Sequence, residues 1–224
     1  MLDTGVFEAN RYFDVFVEYA KGSPEDLLIR IQVVNRGPET AAIDLLPTIW
    51  FRNTWAWGYD AGRPHLCEGN PCSGAKVIDL HLYGQRRLCC EGSPGLLFTE
   101  NETNAQGLYG SDNPSLYVKD GINDCIVHGR KEAVNPEHVG TKAATPYHLS
   151  IGPGETATVR LRFAEKDHQH PCWNPFASDC EEILAVRQRE ADTFYATVIP
   201  QHLTIDAQSV MRQSFAGMLW SKQF

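Results

Sequence analysis

Apolar and polar residues nearly alternate over residues 12–19, placing Phe13, Val15, Val17 and Tyr19 on one face and Asp14 and Glu18 on the other. A period of two predicts a half-buried strand. A Gly/Pro turn at 21–26 leads into 27–34, where Leu27, Ile29, Ile31 and Val33 share a face, and a second turn follows at 35–38. Strands joined by such turns predict an antiparallel meander. The pattern continues over 43–51, with Pro47 confining part of that stretch to an edge or bulge. Residues 60–75 are rich in Gly and Pro and read as a loop. Shorter strands are expected at 77–83, 95–99, 116–119, 125–128 and 144–151. The cleanest alternation lies at 156–163, with Ala157, Val159, Leu161 and Phe163 directed inward.

Many short strands with turn chemistry between them, and no helices among them, predict a mainly β fold, an antiparallel β-sandwich. The period changes near residue 178. Ser178 and Glu181 fit a capping box, and Ile183, Leu184, Ala191, Phe194, Tyr195 and Val198 then fall at helical spacings until Pro200. A second helix is expected from about Asp206, with Met211, Phe215 and Met218 on one stripe. Ser214, Gly217 and Ser221 form a small-residue stripe that lets another helix approach. The chain thus divides into a β-sandwich domain over 1–177 and two C-terminal helices over 178–224. No Gly, Asn or Pro closes the final run through Met218, Leu219, Trp220 and Phe224, which predicts that a missing element covers it.

With 224 residues, 42% of them hydrophobic and 10% aromatic, the chain can bury a substantial core. A formal net charge of -8, with the Lys and Arg residues scattered, argues against a nucleic-acid partner. No run of about 18 apolar residues suggests a membrane span, and the first residues lack the basic and apolar regions of a secretory leader. A cytoplasmic location is expected. The 7 cysteines are an odd number and include the adjacent pair Cys89 and Cys90, which suits reduced thiols better than a disulfide framework.

Candidate chemistry concentrates in a few segments. Residues 45–58 gather Trp50, Trp55 and Trp57 around Arg52 and Asn53. Aromatic faces beside planar hydrogen-bond donors suit a sugar ring in a cleft. Trp50 reads better as a core residue, whereas Trp55 and Trp57, past a strand end, fit core and cleft equally. Residues 98–104 carry the carboxylates Glu100 and Glu102, a pair that could serve as acid and base in glycoside hydrolysis or simply as hydrogen-bonding loop residues. Asp120, Asn123 and Asp124 resemble part of a Ca²⁺ loop but lack its closing Glu, so a capped turn is the plainer reading. His168, His170 and Cys172 offer borderline metal ligands without a partner motif, and a solvated loop is favoured. No metal or cofactor is therefore assigned.

Several motifs together carry a resemblance: Asp3-Thr-Gly-Val-Phe7, Arg11-Tyr-Phe-Asp-Val-Phe-Val-Glu-Tyr-Ala20, Pro47-Thr-Ile-Trp-Phe-Arg-Asn-Thr-Trp55, Leu97-Phe-Thr-Glu-Asn-Glu-Thr-Asn104, Lys119-Asp-Gly-Ile-Asn-Asp124, Gly140-Thr-Lys-Ala-Ala144 and residues 212–224. The chain resembles bacterial glucosidase-like proteins related to glycoside hydrolase family 63, the mannosyl-oligosaccharide glucosidase-like enzymes. In that family a β-supersandwich precedes an α/α barrel, and the barrel holds the acid and base for inverting hydrolysis of α-glucosidic bonds. The resemblance puts Met1 inside the family's N-terminal domain and Phe224 at the first barrel helix. It implies that the opening strands and both catalytic groups are missing, so no catalytic residue is assigned. Arg52, Asn53, Trp55, Trp57, Asp120, Asn123, Asp124 and Lys142 are the implied substrate-binding or barrel-facing residues. The stretch 67–90 departs from the family pattern.

The expected function is accordingly that of a non-catalytic β-sandwich portion of a glycoside hydrolase. It would wall a cleft for an oligosaccharide or glucoside and pack on the catalytic barrel. The rivals are a stand-alone carbohydrate-binding module resting on Trp55 and Trp57, and an interaction scaffold whose apolar helices dock a partner. A sandwich short of its first strands would expose unpaired edges and tend to self-associate.

Overall fold

The computed structural model describes residues 5, 7, 8, 11–58, 62–81, 84–165 and 173–221. The chain separates into two compact units, Met1–Ala177 and Ser178–Phe224. The fold is mainly β, with antiparallel sheets in the first unit and long helices at the C-terminal end.

Strands β1 (Phe13–Ser23) and β2 (Asp26–Asn35) form the expected hairpin, with Phe13 opposite Asn35 and Val17 opposite Ile31. The long alternating strand near the end of this unit, β12 (Thr156–Glu165), lies on the other side of β2. The sheet then continues through β7 (Gln85–Cys90), β6 (Lys76–His81), β5 (His65–Glu68) and β9 (Val139–Gly140), giving the order β1-β2-β12-β7-β6-β5-β9. Two smaller sheets face it. One has the order β4-β10-β8, from Thr48–Trp50, Lys142–Ala144 and Leu97–Thr99, and the other pairs β3 (Ala41–Leu45) with β11 (Tyr147–Ile151).

Ile31, Val33, Leu161, Leu88, Cys90, Ile78, Leu80 and Leu66 from the large sheet pack against Phe98, Ala143 and Ile151 from the small ones. This interdigitation makes the unit a sandwich, with Phe98 wholly buried at its centre. Proline sets where the small sheets break. Pro47 separates β3 from β4, and Pro146 divides the expected strand 144–151 into β10 and β11.

The outer face of the large sheet is also covered. Ala75, Val77 and Cys89 pack with Cys72, Trp173 and Phe176. Beside them Arg162 makes two bonds to Asp26, at 2.8 and 2.7 Å, and donates to the Pro175 carbonyl. Arg87 and Asp79 form a second buried pair at 3.3 Å.

The passage between layers depends on Gly140. A Cβ at this position would lie 2.3 Å from the Thr99 carbonyl oxygen, so β9 can cross β8 only without a side chain. Gly140→Ala is expected to cost about 1–3 kcal/mol, because the backbone of β8 has to yield. A lowered urea midpoint with an unchanged m-value would report it.

Several expectations require correction. Residues 125–128 lie in a helix, α2 (Gly121–His128), preceded by the short α1 (Ala105–Tyr109), so helices do interrupt the strands. The apolar run there is too short for periodicity to decide, and Gly129 in the left-handed region ends a helix rather than a strand. No strand forms at 116–119. The loop read over 60–75 contains β5, and both β7 and β9 went unread.

In the second unit α3 (Asp179–Val198) and α4 (Ile205–Trp220) form where helical spacing predicts them. Ser178 stands at the start of α3 without a side-chain cap bond, so its half of the capping box is not made, and Asp179, Glu181 and Glu182 supply acidic charge to the first turn. Thr204 caps α4 by accepting from the Ala207 amide. Arg212 joins the two helices through Asp192 at 2.6 Å and lies over the Tyr195 ring. Ile205 is 88% exposed, and Met218 and Leu219 are exposed as well. The Trp220 side chain and Phe224, invoked in the reading of this terminus, lie outside the described residues, as do His168, His170 and Cys172.

Candidate functional site

The tryptophan segment leaves β4 at the edge of the three-stranded sheet. Trp50 is opposite Lys142 in the register, and residues directly opposite project from the same face. That face points away from the core, because the neighbours Ile49 and Ala143 pack into it. Trp50 is 58% exposed, which corrects its reading as a core residue. Just beyond, Trp55–Trp57 make one 3-10 turn, closed by Gly58 in the left-handed conformation. Trp57 is 53% exposed, and the Arg52 guanidinium lies 4.8 Å above its ring.

Trp55 and Asn53 turn inward to a common acceptor. Trp55 Nε1 donates to Glu102 Oε1 at 2.6 Å and Asn53 Nδ2 to Glu102 Oε2 at 2.7 Å. Asn53 Oδ1 in turn accepts from the Ala56 amide, which fixes the 3-10 turn. Arg63 stacks over Trp55 at 5.4 Å and reaches Glu100 at 2.8 Å and Glu102 at 3.7 Å. Glu100 Oε2 also accepts from the Thr141 hydroxyl at 2.6 Å and from the Thr141 amide. The two carboxylates are therefore engaged by protein donors and share Arg63. They buttress the tryptophan turn, and Glu102 is only 8% exposed.

A second cluster continues from the same strand end. The Lys119 amide donates to the Glu102 carbonyl, and Lys119 Nζ to Thr103 Oγ1. Asn104 caps α1 and donates to Asp120 Oδ2 at 2.9 Å. Lys142 Nζ donates to the Lys119 carbonyl at 2.9 Å. Burial, and then the Lys119 charge, hold the Lys142 ammonium below the ordinary lysine range, with Asp120 opposing the shift. Asp120 begins α2 without capping it by its side chain, Asn123 is exposed on that helix, and Asp124 pairs with Arg130 at 3.3 Å. Among the described residues no group of three or more His, Cys, Asp or Glu side chains is arranged to hold a metal ion.

Of the residues singled out from sequence, Arg52, Asn53, Trp55, Trp57 and Lys142 thus sit around one end of the three-stranded sheet. Asp120 reaches them through residues 102–104, whereas Asn123 and Asp124 belong to the helix beyond. Sequence reasoning missed Arg63 and Thr141. Arg63 lies inside the Gly/Pro-rich stretch 60–75, which has no periodic signal, while Thr141 stands inside the Gly140-Thr-Lys motif.

No protein-family model matches the chain. It is similar to an uncharacterized protein of Saccharomyces cerevisiae, YMR196W, at 34% identity over 248 aligned residues that take in 96% of this chain. The chain spans 23% of the length of that relative.

Proposed function

We propose that this chain is a non-catalytic, carbohydrate-facing β unit of a glycoside hydrolase of the α-glucosidase kind. The observation that carries the reading is two exposed indoles in one short segment, Trp50 on the outward sheet face that it shares with Lys142 and Trp57 on the turn just beyond, with Arg52 stacked on the Trp57 ring. Flat aromatic surface binds sugar C–H faces, and guanidinium and ammonium donors meet the hydroxyls around it. The fixed turn beneath keeps these groups in place before a ligand arrives, which lowers the ordering cost of binding.

The chemistry of the carboxylates supports a role without catalysis. An acid and base for glycoside hydrolysis flank a bound sugar at a separation set by the reaction. Glu100 and Glu102 instead converge on Arg63 and hold Trp55, Asn53 and Thr141. Exposed apolar residues on α4 favour a packed helical neighbour, as a catalytic barrel would provide.

Calorimetric titration with gluco-oligosaccharides is expected to give saturable binding, weakened about tenfold by Trp57→Ala, a change of about 1.4 kcal/mol. No heat above dilution would remove the sugar-binding role. In parallel, the chain is expected to leave α-glucosides intact, and turnover by it would overturn the non-catalytic assignment.

A further inference from the structure

The outer face of the β5–β6 hairpin carries a second constellation. His65 pairs with His81 and Cys67 with Asp79, so His65, Cys67 and His81 share one face. Cys67 Sγ lies 3.4 Å from His81 Nε2. The His65 ring stacks on His81 with centroids 4.3 Å apart and planes 13° from parallel, which fixes the plane of the imidazole. Cys67 also lines an open cleft of about 610 Å³ with Glu68, Asn70, Glu137 and His138.

We propose that Cys67 and His81 form a nucleophilic thiol site for small soft electrophiles, with His81 as the base. The reactive species of a cysteine is its thiolate, and an adjacent imidazole supplies it by accepting the proton. His81 Nε2 takes the Sγ proton; the thiolate then attacks an electrophilic carbon, a sulfur–carbon bond forms, and the leaving group departs with its bonding electrons. The charges among the described residues allow this. Asp79 opposite Cys67 would oppose a thiolate, but Arg87 on β7 pairs with it at 3.3 Å. The uncharged Gln85 lies opposite His81. In the cleft Glu68 is held by Lys76 and His138, which leaves Glu137 as the remaining acid there. Among the described residues Cys89, Cys90 and Cys180 are buried and Cys72 donates to the Trp173 carbonyl, which leaves the half-buried Cys125 as the comparison.

The test is iodoacetamide at low excess on the folded chain, with each cysteine followed by peptide mass mapping across a range of pH. Among the described cysteines Cys67 is expected to be alkylated first, about tenfold faster than the half-buried Cys125 near neutral pH, and His81→Gln should slow it about tenfold there. At high pH, where any thiol ionises, the variant and the parent should converge. Far-UV circular dichroism of His81→Gln checks its fold, and the selectivity of the parent chain needs no variant at all. Cys67 reacting no faster than Cys125, or a folded His81→Gln with a superimposable profile, would overturn the proposal.

Discussion

Asp26→Ala is expected to destabilise the β unit by about 3–5 kcal/mol, because it removes the Asp26 carboxylate from a buried Arg162 guanidinium. Both side chains are under 10% exposed, at 8% for Arg162 and 9% for Asp26. The pair holds two non-adjacent stretches of chain to the same sheet, and Arg162 also donates to the Pro175 carbonyl and lies over Trp173. Urea unfolding followed by tryptophan fluorescence would report the loss. Replacing both partners, as in Asp26→Leu with Arg162→Met, should recover most of it, since the penalty comes from a buried charge that has lost Asp26 rather than from a lost attraction. A single substitution costing under about 1 kcal/mol would mean that water reaches Arg162 once Asp26 is gone.

Glu102→Ala is expected to cost about 2–4 kcal/mol, since it removes the acceptor of both Trp55 Nε1 and Asn53 Nδ2. The effect should extend to ligand binding. With Trp55 and Asn53 released, the 3-10 turn carrying Trp57 loses its support, and oligosaccharide affinity should fall although Glu102 is too enclosed to meet a ligand directly. Glu100→Ala should be milder, because Thr141 Oγ1 still accepts from the Asn101 amide. Unfolding midpoints of the two variants, measured beside their calorimetric affinities, separate these roles. Equal stability of Glu102→Ala and the parent would contradict the buttress.

The strands that could be read from sequence are those whose apolar residues alternate without a break along one face. In β2 and β12 the inward set repeats every second residue, and the pattern needs nothing else to be seen. Where buried charges interrupt the alternation on a short strand, that signal fails. Arg87 and Asp79 sit on strands yet are buried as a pair, so charges that imply solvent in the sequence mark the inner side of a second layer. Strand β7, with Arg86 and Arg87 in its middle, was hidden for this reason. Strand β5 is hidden differently, since Leu66 is its one residue in the main core.

The tryptophan segment was visible by composition, but its geometry was not. Which indole faces outward depends on partners far along the chain: Glu102 draws Trp55 in, and the register with β10 turns Trp50 out. Arg63 and Thr141 complete the cluster only through tertiary contact. Helix α2 was obscured by a short apolar run, although Gly129 supplied the cue that an end was near.

Adjacent residues on a strand face opposite ways, and Cys89 and Cys90 inherit that rule. Cys90 enters the main core, Cys89 the outer cluster beside Trp173, and burial pushes both thiols up to about 12. The molecule therefore contains two chemical clocks one peptide bond apart, each silent until its own layer opens. Timed labelling of this dipeptide would reveal whether the cover over the sheet peels away before the sandwich itself comes apart.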